Sequence, residues 1–270
     1  MRTLWLLAVV AVSTLVLGPL VILADMLGVP RRPGGIYDWA PRAWARAIVR
    51  AAGVEVRIHG AEPLSEVGRR VVVANHVSWF DIPVMILTTP RFAAVAKQEL
   101  SRIWFFGRAA GKVGVVWIDR ENRKAAFEAY DAAAGAVRDG RNVVVFPEGT
   151  RGSEYALRPF KKGPFVLAVS SQAEVVPVVI HGTLPLGRGK AWRVDPSHVA
   201  GVVNVHVLPA MSAKGTTYDD RTALATAVHA RMAEFLHTRY AVLPRGSAAV
   251  AAEQARAEPP AAATPALEST

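Results

Sequence analysis

Two runs of β-branched residues, each followed directly by a polar string, constrain the fold of this chain more than any other feature. Residues 71–74 precede the string NHVSWFD at 75–81, and residues 143–145 precede FPEGTR at 146–151. A short apolar run that ends in polar residues is typical of a buried strand in a parallel sheet. Because ligands bind at the carboxyl ends of such strands, the two strings are predicted to share one crevice.

Strand-like and helical stretches alternate along the rest of the chain. The predicted strands are 54–58, 71–74, 93–97, 113–118, 142–146, 175–180 and 202–208, and the predicted helices are 100–107, 122–138, 164–172 and about 219–240. This alternation indicates an α/β fold with a largely parallel or mixed central sheet flanked by helices. The predicted grouping of polar residues requires that the strands carrying them run in the same direction.

The amino-terminal segment is apolar enough to enter a membrane. Residues 3–24 contain no charged side chain, while Arg2 precedes them and Asp25 follows. As a helix these 22 residues would extend roughly 33 Å, which is enough to cross the hydrocarbon core of a bilayer. We expect membrane attachment; a cleaved signal peptide and a half-inserted hairpin broken at Gly18-Pro19 remain alternatives.

A basic flank follows this segment, comprising Arg31, Arg32, Arg42, Arg46 and Arg50. The positive-inside rule assigns such a flank to the cytoplasmic side of the inner, cytoplasmic membrane, so the catalytic domain is expected there. Residues 39–49 have the pattern of an amphipathic helix, lying on lipid headgroups or packed on the catalytic domain. The expected organisation is a membrane anchor with this interfacial segment at 1–50, an α/β domain at 51–243 and a disordered Ala/Pro-rich tail at 244–270.

Composition excludes several kinds of chemistry. The chain has no cysteine, which rules out disulfides, thiolate metal sites and a cysteine acyl-intermediate. Its net charge of +10 suits an anionic lipid or a phosphorylated substrate. No zinc spacing or RNA-binding aromatic string occurs, so a nucleic-acid partner is not expected. No histidine spacing suits a metalloenzyme either, and no metal is expected.

The first string contains a possible general base. His76 follows a predicted strand, and Asp81, five residues later, could orient the imidazole and stabilise its protonated form. No Gly-x-Ser-x-Gly elbow occurs, and Ser78 is better interpreted as a helix cap. The economical mechanism is therefore direct: His76 deprotonates a substrate hydroxyl, whose oxygen attacks an activated acyl group.

The second string could bind an anion. Gly149 permits close backbone approach, Thr150 can donate a hydrogen bond, and Arg151 can bind a phosphate in a bidentate manner. Lys97 and Arg120 end two other predicted strand regions and would add positive charge at the same edge. Taken singly, each of these residues has a purely structural explanation: a tight turn, a local Glu–Arg pair or a solvated surface charge.

Four ordered blocks resemble the glycerolipid acyltransferase family, and most closely its 1-acyl-sn-glycerol-3-phosphate acyltransferases. The blocks are NH-x4-D at 75–81, GVVWIDR at 114–120, FPEGTR at 146–151 and VPV at 176–178. The resemblance extends over roughly residues 54–208. Trp117 stands where the family often has Phe.

The resemblance implies the roles of the candidate residues. His76 and Asp81 would be catalytic, and Arg120, Glu148, Gly149, Thr150 and Arg151 would bind the phosphorylated acceptor. The implied reaction transfers a fatty acyl group from acyl-CoA or acyl carrier protein to the sn-2 hydroxyl of 1-acyl-glycerol 3-phosphate in the membrane, giving phosphatidic acid with no cofactor. Glycerol 3-phosphate or a lyso-aminolipid as acceptor, and a membrane-anchored thioester or phosphoester hydrolase, remain alternatives.

Overall fold

The valine-rich runs form the centre of an eight-stranded sheet. The structure, a computed structural model, describes residues 2–65, 68–119, 122–187 and 201–245. The strands are β1 (Glu55–His59), β2 (Arg70–Ala74), β3 (Phe92–Lys97), β4 (Val115–Ile118), β5 (Asn142–Val145), β6 (Glu174–His181), β7 (Val202–Val207) and β8 (Met211–Ser212). Their order across the sheet is β1-β7-β6-β2-β5-β3-β4, and β8 pairs with β6.

Five adjacent strands run in the same direction. β2 is parallel to both β5 and β6, and β3 is parallel to both β5 and β4. The sheet is mixed because β7 is antiparallel to β6, although β7 is itself parallel to β1. The predicted α/β fold is confirmed, and the carboxyl ends of β2 to β6 share one edge, as the grouping of polar residues required.

Helices cover both faces of the sheet. They are α1 (Arg2–Met26), α2 (Ile36–Ala52), α3 (Glu62–Ser65), α4 (Asp81–Thr88), α5 (Trp104–Val113), α6 (Arg123–Arg138), α7 (Gly163–Ser171) and α8 (Arg221–Tyr240). Short 3₁₀ turns cover Gln98–Arg102, Leu184–Leu186 and Tyr218–Asp220.

Successive strand residues point to opposite faces, so the two faces have separate cores. Val71 and Val73 of β2 pack in a cluster with α6, α7 and α8. Val72 and Ala74 pack in a second cluster with α2 and α4. Helices α2 and α4 therefore lie on one face of the sheet, and α6 to α8 lie on the other.

Helix α1 lies along the protein surface. It continues through Gly18-Pro19 without a break, which is contrary to the hairpin alternative. Leu6 near its start and Val21 near its end are both 2% exposed and belong to clusters that include side chains of α2. The other face of α1 is exposed and apolar, as at Trp5 and Val16. Both ends of this helix thus contact the rest of the protein.

Helix α2 corresponds to the alternative in which the amphipathic segment packs on the domain. Its buried residues are Tyr37, Ala40, Ala45, Ile48 and Val49, and it contacts α1 and α4. Trp44 donates a 2.9 Å hydrogen bond from Nε1 to Thr14 of α1. Trp39 is 47% exposed, so one aromatic ring of this helix still faces outward.

Two predicted elements differ from the structure. The predicted helix 100–107 is a 3₁₀ turn up to Arg102, followed by α5 from Trp104, and the predicted strand 113–118 begins only at Val115. The boundary between α5 and β4 is Gly114, whose left-handed φ of 109° ends the helix. The part of the predicted tail at residues 246–270 lies outside the described residues.

Candidate active site

His76 and Asp81 form a hydrogen-bonded pair at the end of β2. Asp81 begins α4 and is fully buried, and its Oδ2 lies 2.8 Å from Nδ1 of His76. The same Oδ2 atom accepts the backbone N–H groups of Val77 at 2.8 Å and Ser78 at 2.9 Å. The carboxylate is held by the turn that connects the two residues, so the spacing of five residues produces the pair locally.

This pairing determines which nitrogen of His76 is available. An ionised carboxylate only accepts hydrogen bonds, so Nδ1 of His76 carries the proton and Nε2 presents its lone pair. The ring of Phe146 stacks on the imidazole with 4.1 Å between centroids. The side chain of His76 is 16% exposed, which leaves an edge of the ring accessible to a substrate. The arrangement suits a general base.

Ser78 stabilises the turn without capping a helix. Its Oγ accepts the N–H of Phe80, two residues later, at 3.1 Å. Helix α4 begins at Asp81, so the serine lies before the helix and not at its N-cap position. The predicted capping role is therefore replaced by a hydrogen bond within the turn between β2 and α4.

Glu148 connects the two strings through the backbone. Its carboxylate accepts the N–H of His76 at 2.8 Å and, through the other oxygen, the N–H of Arg158 at 3.2 Å. The residue is 4% exposed. Burial raises the pKa of the Glu148 carboxyl to about 7, and the two backbone hydrogen bonds oppose that rise. Both oxygens bond to backbone groups, so Glu148 fixes the position of His76.

The glycine–arginine turn lies against the histidine. Gly149 has a φ of 76° and donates its N–H to the carbonyl of Phe146 at 3.1 Å, and Thr150 is exposed. Arg151 is half-buried, and burial lowers the pKa of its guanidinium while the charge of Asp81 acts to raise it. The N–H of Gly152, the residue after Arg151, donates to the carbonyl oxygen of His76 at 2.7 Å, so Arg151 lies beside the His76–Asp81 pair.

The remaining predicted cations contribute differently. Lys97 ends β3 at the same edge of the sheet, but its ammonium lies 2.7 Å from the carboxylate of Glu99 and is half exposed. Arg120 lies outside the described residues. Within the described ranges, no group of three or more His, Cys, Asp or Glu side chains is arranged to hold a metal ion.

Two residues of the site were not singled out by the sequence analysis. Asn75 exchanges two hydrogen bonds with the backbone of Ile180 in β6, at 2.7 Å and 3.0 Å, and so fixes the end of β2. The hydroxyl of Tyr155 accepts the N–H groups of Gly182 and Leu184 at 2.7 Å and 3.1 Å. Asn75 is part of the first string, whereas the contact of Tyr155 has no local sequence signature.

An apolar cavity of about 160 Å³ extends from α1 to the site. Its lining includes Leu17, Gly18 and Val21 of α1, Ile82, Met85 and Ile86 of α4, Phe106 and Ala109 of α5, and Phe146. Phe146 contacts the cavity and also stacks on His76. The cavity therefore reaches the ring that backs the imidazole.

Comparison with known proteins identifies the family. Residues 55–181 match the Acyltransferase family model. The chain is 35% identical over 183 residues to 1-acyl-sn-glycerol-3-phosphate acyltransferase alpha of Mus musculus, an alignment that covers 67% of this chain and 63% of that protein. Residues 55–181 form a domain of the acyltransferase family. The resemblance carried by the four blocks of this acyltransferase domain is thereby confirmed.

Bacterial proteins are also similar to this chain. The 1-acyl-sn-glycerol-3-phosphate acyltransferase of Haemophilus influenzae is 29% identical over 174 residues, covering 61% of this chain and 72% of that protein. The crystal structure of the 1-acyl-sn-glycerophosphate acyltransferase PlsC from Thermotoga maritima superposes with a TM-score of 0.73 at 23% identity, covering 90% and 97% of the two chains. The latter likeness concerns the fold. The chain spans about three-fifths of the length of its relatives from Mus musculus and Caenorhabditis elegans.

Proposed function

We propose that this acyltransferase is a membrane-associated enzyme that converts 1-acyl-sn-glycerol 3-phosphate into phosphatidic acid, with acyl-CoA or acyl carrier protein as the acyl donor. The observation that carries the proposal is the hydrogen-bonded pair of His76 and Asp81 beside the turn of Arg151, whose next residue, Gly152, donates its N–H to the carbonyl oxygen of His76 at 2.7 Å. The names of the similar proteins support the same reaction.

The chemistry follows from the orientation of the imidazole. Nε2 of His76 removes the proton from the sn-2 hydroxyl, and the oxygen attacks the thioester carbonyl carbon. The C–O bond forms, the C–S bond breaks, and the thiolate leaving group takes the proton back from the imidazolium. Asp81 stabilises the imidazolium between these two steps. No cofactor and no covalent enzyme intermediate are required.

The acceptor phosphate is bound by the glycine–arginine turn. Arg151 provides a fixed planar charge, and its partial burial strengthens its interaction with an anion. Gly149 brings backbone close to the ligand, and the exposed Thr150 adds a hydroxyl donor. Glu148 does not contact the phosphate in this mechanism, since its two oxygens hold the backbone of His76 and Arg158. We propose the same phosphate-binding role for Lys97 and Arg120 as secondary contributors.

We propose that the apolar cavity accommodates part of a fatty acyl chain. The cavity lies between α1, α4 and α5, and almost all of its lining side chains are apolar. Burying hydrocarbon there is favourable at roughly 25 cal/mol per Å² of apolar area. Phe146 at the end of the cavity directs the carboxyl end of a chain toward His76.

We further propose that α1 lies in one leaflet instead of crossing the bilayer, with the catalytic domain on the cytoplasmic side. Leu6 and Val21 are separated by about 22 Å along a helix, and both are packed against the protein. An upright span would carry the packed domain into the hydrocarbon core. The exposed apolar face of α1 suits an in-plane position.

A reconstituted assay tests the proposed reaction. Purified full-length protein in phospholipid vesicles receives palmitoyl-CoA or palmitoyl-acyl carrier protein together with 1-oleoyl-glycerol 3-phosphate, glycerol 3-phosphate, monooleoylglycerol or lysophosphatidylcholine. We expect mass spectrometry to detect an acylated product, phosphatidic acid, from the first acceptor and no acylated product from the other three. His76→Ala should remove nearly all turnover, whereas His237→Ala, on an exposed turn of α8, should retain it.

Two results would contradict the proposal. Release of free fatty acid without phosphatidic acid would identify a hydrolase. Turnover by His76→Ala close to that of the unmodified protein, with the same circular dichroism spectrum, would remove the general base from the mechanism.

A further inference from the structure

A basic loop at residues 158–162 lies next to the catalytic strands. The N–H of Arg158 donates to Oε2 of Glu148 at 3.2 Å, and the N–H of Lys161 donates to the carbonyl of Pro147 at 2.7 Å. Between them, the ring of Phe160 contacts the rings of Phe165 and His229. The loop is therefore attached to the FPEGTR string at two points and to α7 and α8 through one ring.

The charges of this loop face solvent. Arg158, Lys161 and Lys162 are all exposed. In the part of the chain that the structure describes, neither lysine ammonium forms an ion pair. Helix α7 begins at Gly163, so the positive end of its dipole adds to the two lysines. Three cations and a helix amino terminus thus lie beside the active site without a carboxylate partner for the lysines.

The loop is on the face of the sheet away from α1. Helix α7 packs with α6 and α8 in the cluster that contains Val71 and Val73, whereas α1 and α2 contribute to the cluster of the other face. A ligand bound by these cations therefore approaches from water, while the apolar cavity is entered from the side of α1. The two approaches meet at the carboxyl edge of the sheet, where His76 lies.

We propose that Arg158, Lys161 and Lys162 bind the phosphate ester of the acyl donor. This inference rests on the proposed function, in which the donor is water-soluble and the acceptor is a lipid. Acyl-CoA and acyl carrier protein both present the thioester on a phosphorylated pantetheine arm, so the shared ligand chemistry is that phosphate. The acceptor phosphate has its own proposed site at Arg151. The two phosphates are therefore bound by separate cations near the same imidazole.

Charge reversal with a matched control tests the donor site. The test variant is K161E/K162E, and the control is R138E/K214E, which makes the same change in charge at exposed positions on the last turn of α6 and after β8. The donors are palmitoyl-CoA, palmitoyl-acyl carrier protein and S-palmitoyl pantetheine, which lacks the phosphate. We expect the test variant to raise the KM for the phosphorylated donors roughly tenfold, through lost charge-assisted contacts, with kcat little changed. KM for 1-oleoyl-glycerol 3-phosphate and for the pantetheine donor should stay the same.

Ionic strength supplies a further readout. Added KCl should raise the KM of the unmodified protein for palmitoyl-CoA and have little effect on the test variant, since its cations are gone. If the K161E/K162E substitution raises the KM for only one of the two phosphorylated donors, that donor is the natural source of the phosphate. The proposal is overturned if the KM of the test variant for S-palmitoyl pantetheine rises as much as its KM for the phosphorylated donors. It is also overturned if the control variant shows the same rise in KM for the phosphorylated donors.

Binding without turnover separates this proposal from the proposed function. Titration calorimetry measures the Kd of coenzyme A and of holo-acyl carrier protein for each variant, with K161A/K162A as a milder substitution. One outcome is that the unmodified protein binds either donor, that the lysine variants bind it roughly tenfold more weakly, and that no phosphatidic acid is formed. This outcome supports the donor site and shows that the acceptor assignment is wrong. If phosphatidic acid is formed but the lysine variants match the control in KM and Kd, the donor site is wrong. Loss of vesicle binding as the only effect would reassign the loop to the lipid surface and overturn the proposal.

Discussion

The backbone N–H of Gly152 donates a 2.7 Å hydrogen bond to the carbonyl oxygen of His76. The residue after Arg151 is thus attached directly to the residue that carries the imidazole. A second connection runs in the opposite sense, because the N–H of His76 donates to Glu148. Base and guanidinium are therefore positioned by one short backbone network, and a change in the turn at Gly149 would displace both.

Replacing Arg151 should weaken acceptor binding more than it slows chemistry. We expect Arg151→Ala to raise the KM for 1-oleoyl-glycerol 3-phosphate by roughly 30- to 100-fold, the value of a partly buried charge-assisted contact. Arg151→Lys should restore only part of this, since it lacks the planar fork. Steady-state kinetics against acceptor concentration measures both, with Arg138→Ala as the control. An unchanged KM would remove Arg151 from the phosphate site.

Asp81→Asn should disable the imidazole while preserving the turn. The amide oxygen can still accept the N–H groups of Val77 and Ser78, but it no longer stabilises the imidazolium or fixes the tautomer. We expect kcat to fall roughly 10³- to 10⁴-fold with little change in the acceptor KM. Retention of kcat within tenfold of the unmodified protein would show that the carboxylate is not required.

Glu148 should make stability depend on pH. Burial raises the pKa of this carboxyl from 4.5 to about 7, so between these values the folded protein holds a proton that the unfolded chain has released. The free energy of unfolding should therefore fall as pH rises through this window, by about 3 kcal/mol relative to Glu148→Gln. Urea denaturation of both proteins between pH 4 and pH 8 measures the difference. Parallel curves for the two proteins would contradict the assignment.

Tyr155→Phe should loosen the site through the backbone. The hydroxyl accepts two N–H groups, of Gly182 and Leu184, and its removal leaves both without that partner at a cost of about 2 kcal/mol. The Tyr155 ring also stacks on His181, which stacks on Tyr240 at the end of α8. We expect a lower Tm and a lower kcat. Tyr218→Phe, at an exposed residue, is the control. Equal losses of Tm and kcat in the two variants would contradict a specific role for the Tyr155 hydroxyl.

Labelling can establish how α1 sits in the membrane. Because the chain contains no cysteine, Thr3→Cys and Val29→Cys each introduce a single reactive thiol, one at either end of α1. For an in-plane helix, a membrane-impermeant maleimide should label both positions from the cytoplasmic side, in inverted vesicles and not in intact cells. Labelling of the two positions from opposite sides would establish a span instead.

The central strands and the pairing of His76 with Asp81 could be predicted because their determinants are local. Valine runs specify β2 and β5, and the spacing of His76 and Asp81 places both in one turn. The start of β4 was predicted two residues early, since an apolar run does not reveal where a helix ends and a strand begins. The helix ends at Gly114 because the backbone of this residue adopts a left-handed conformation.

Contacts between segments that are distant in the chain could not be predicted from the sequence. Tyr155 meets Gly182 and Leu184 only because β6 ends at the same edge as β5, a consequence of the strand order. Strand β8 has two residues and no pattern of its own. The interaction of Lys97 with Glu99 is local, but side-chain charge alone does not distinguish an ion pair from a ligand-binding cation.

The pairing of β1 with β7 has a consequence for synthesis of the protein. Among the described strands β1 pairs with β7 alone, and its register matches Glu55 with Val202, about 150 residues later. The ribosome therefore releases α1, α2 and β1 long before the strand that completes their side of the sheet exists. During that interval the apolar surface of α1 is exposed to whatever the nascent chain meets first. If α1 binds lipid, its contact with the bilayer is therefore expected to begin before the sheet is complete.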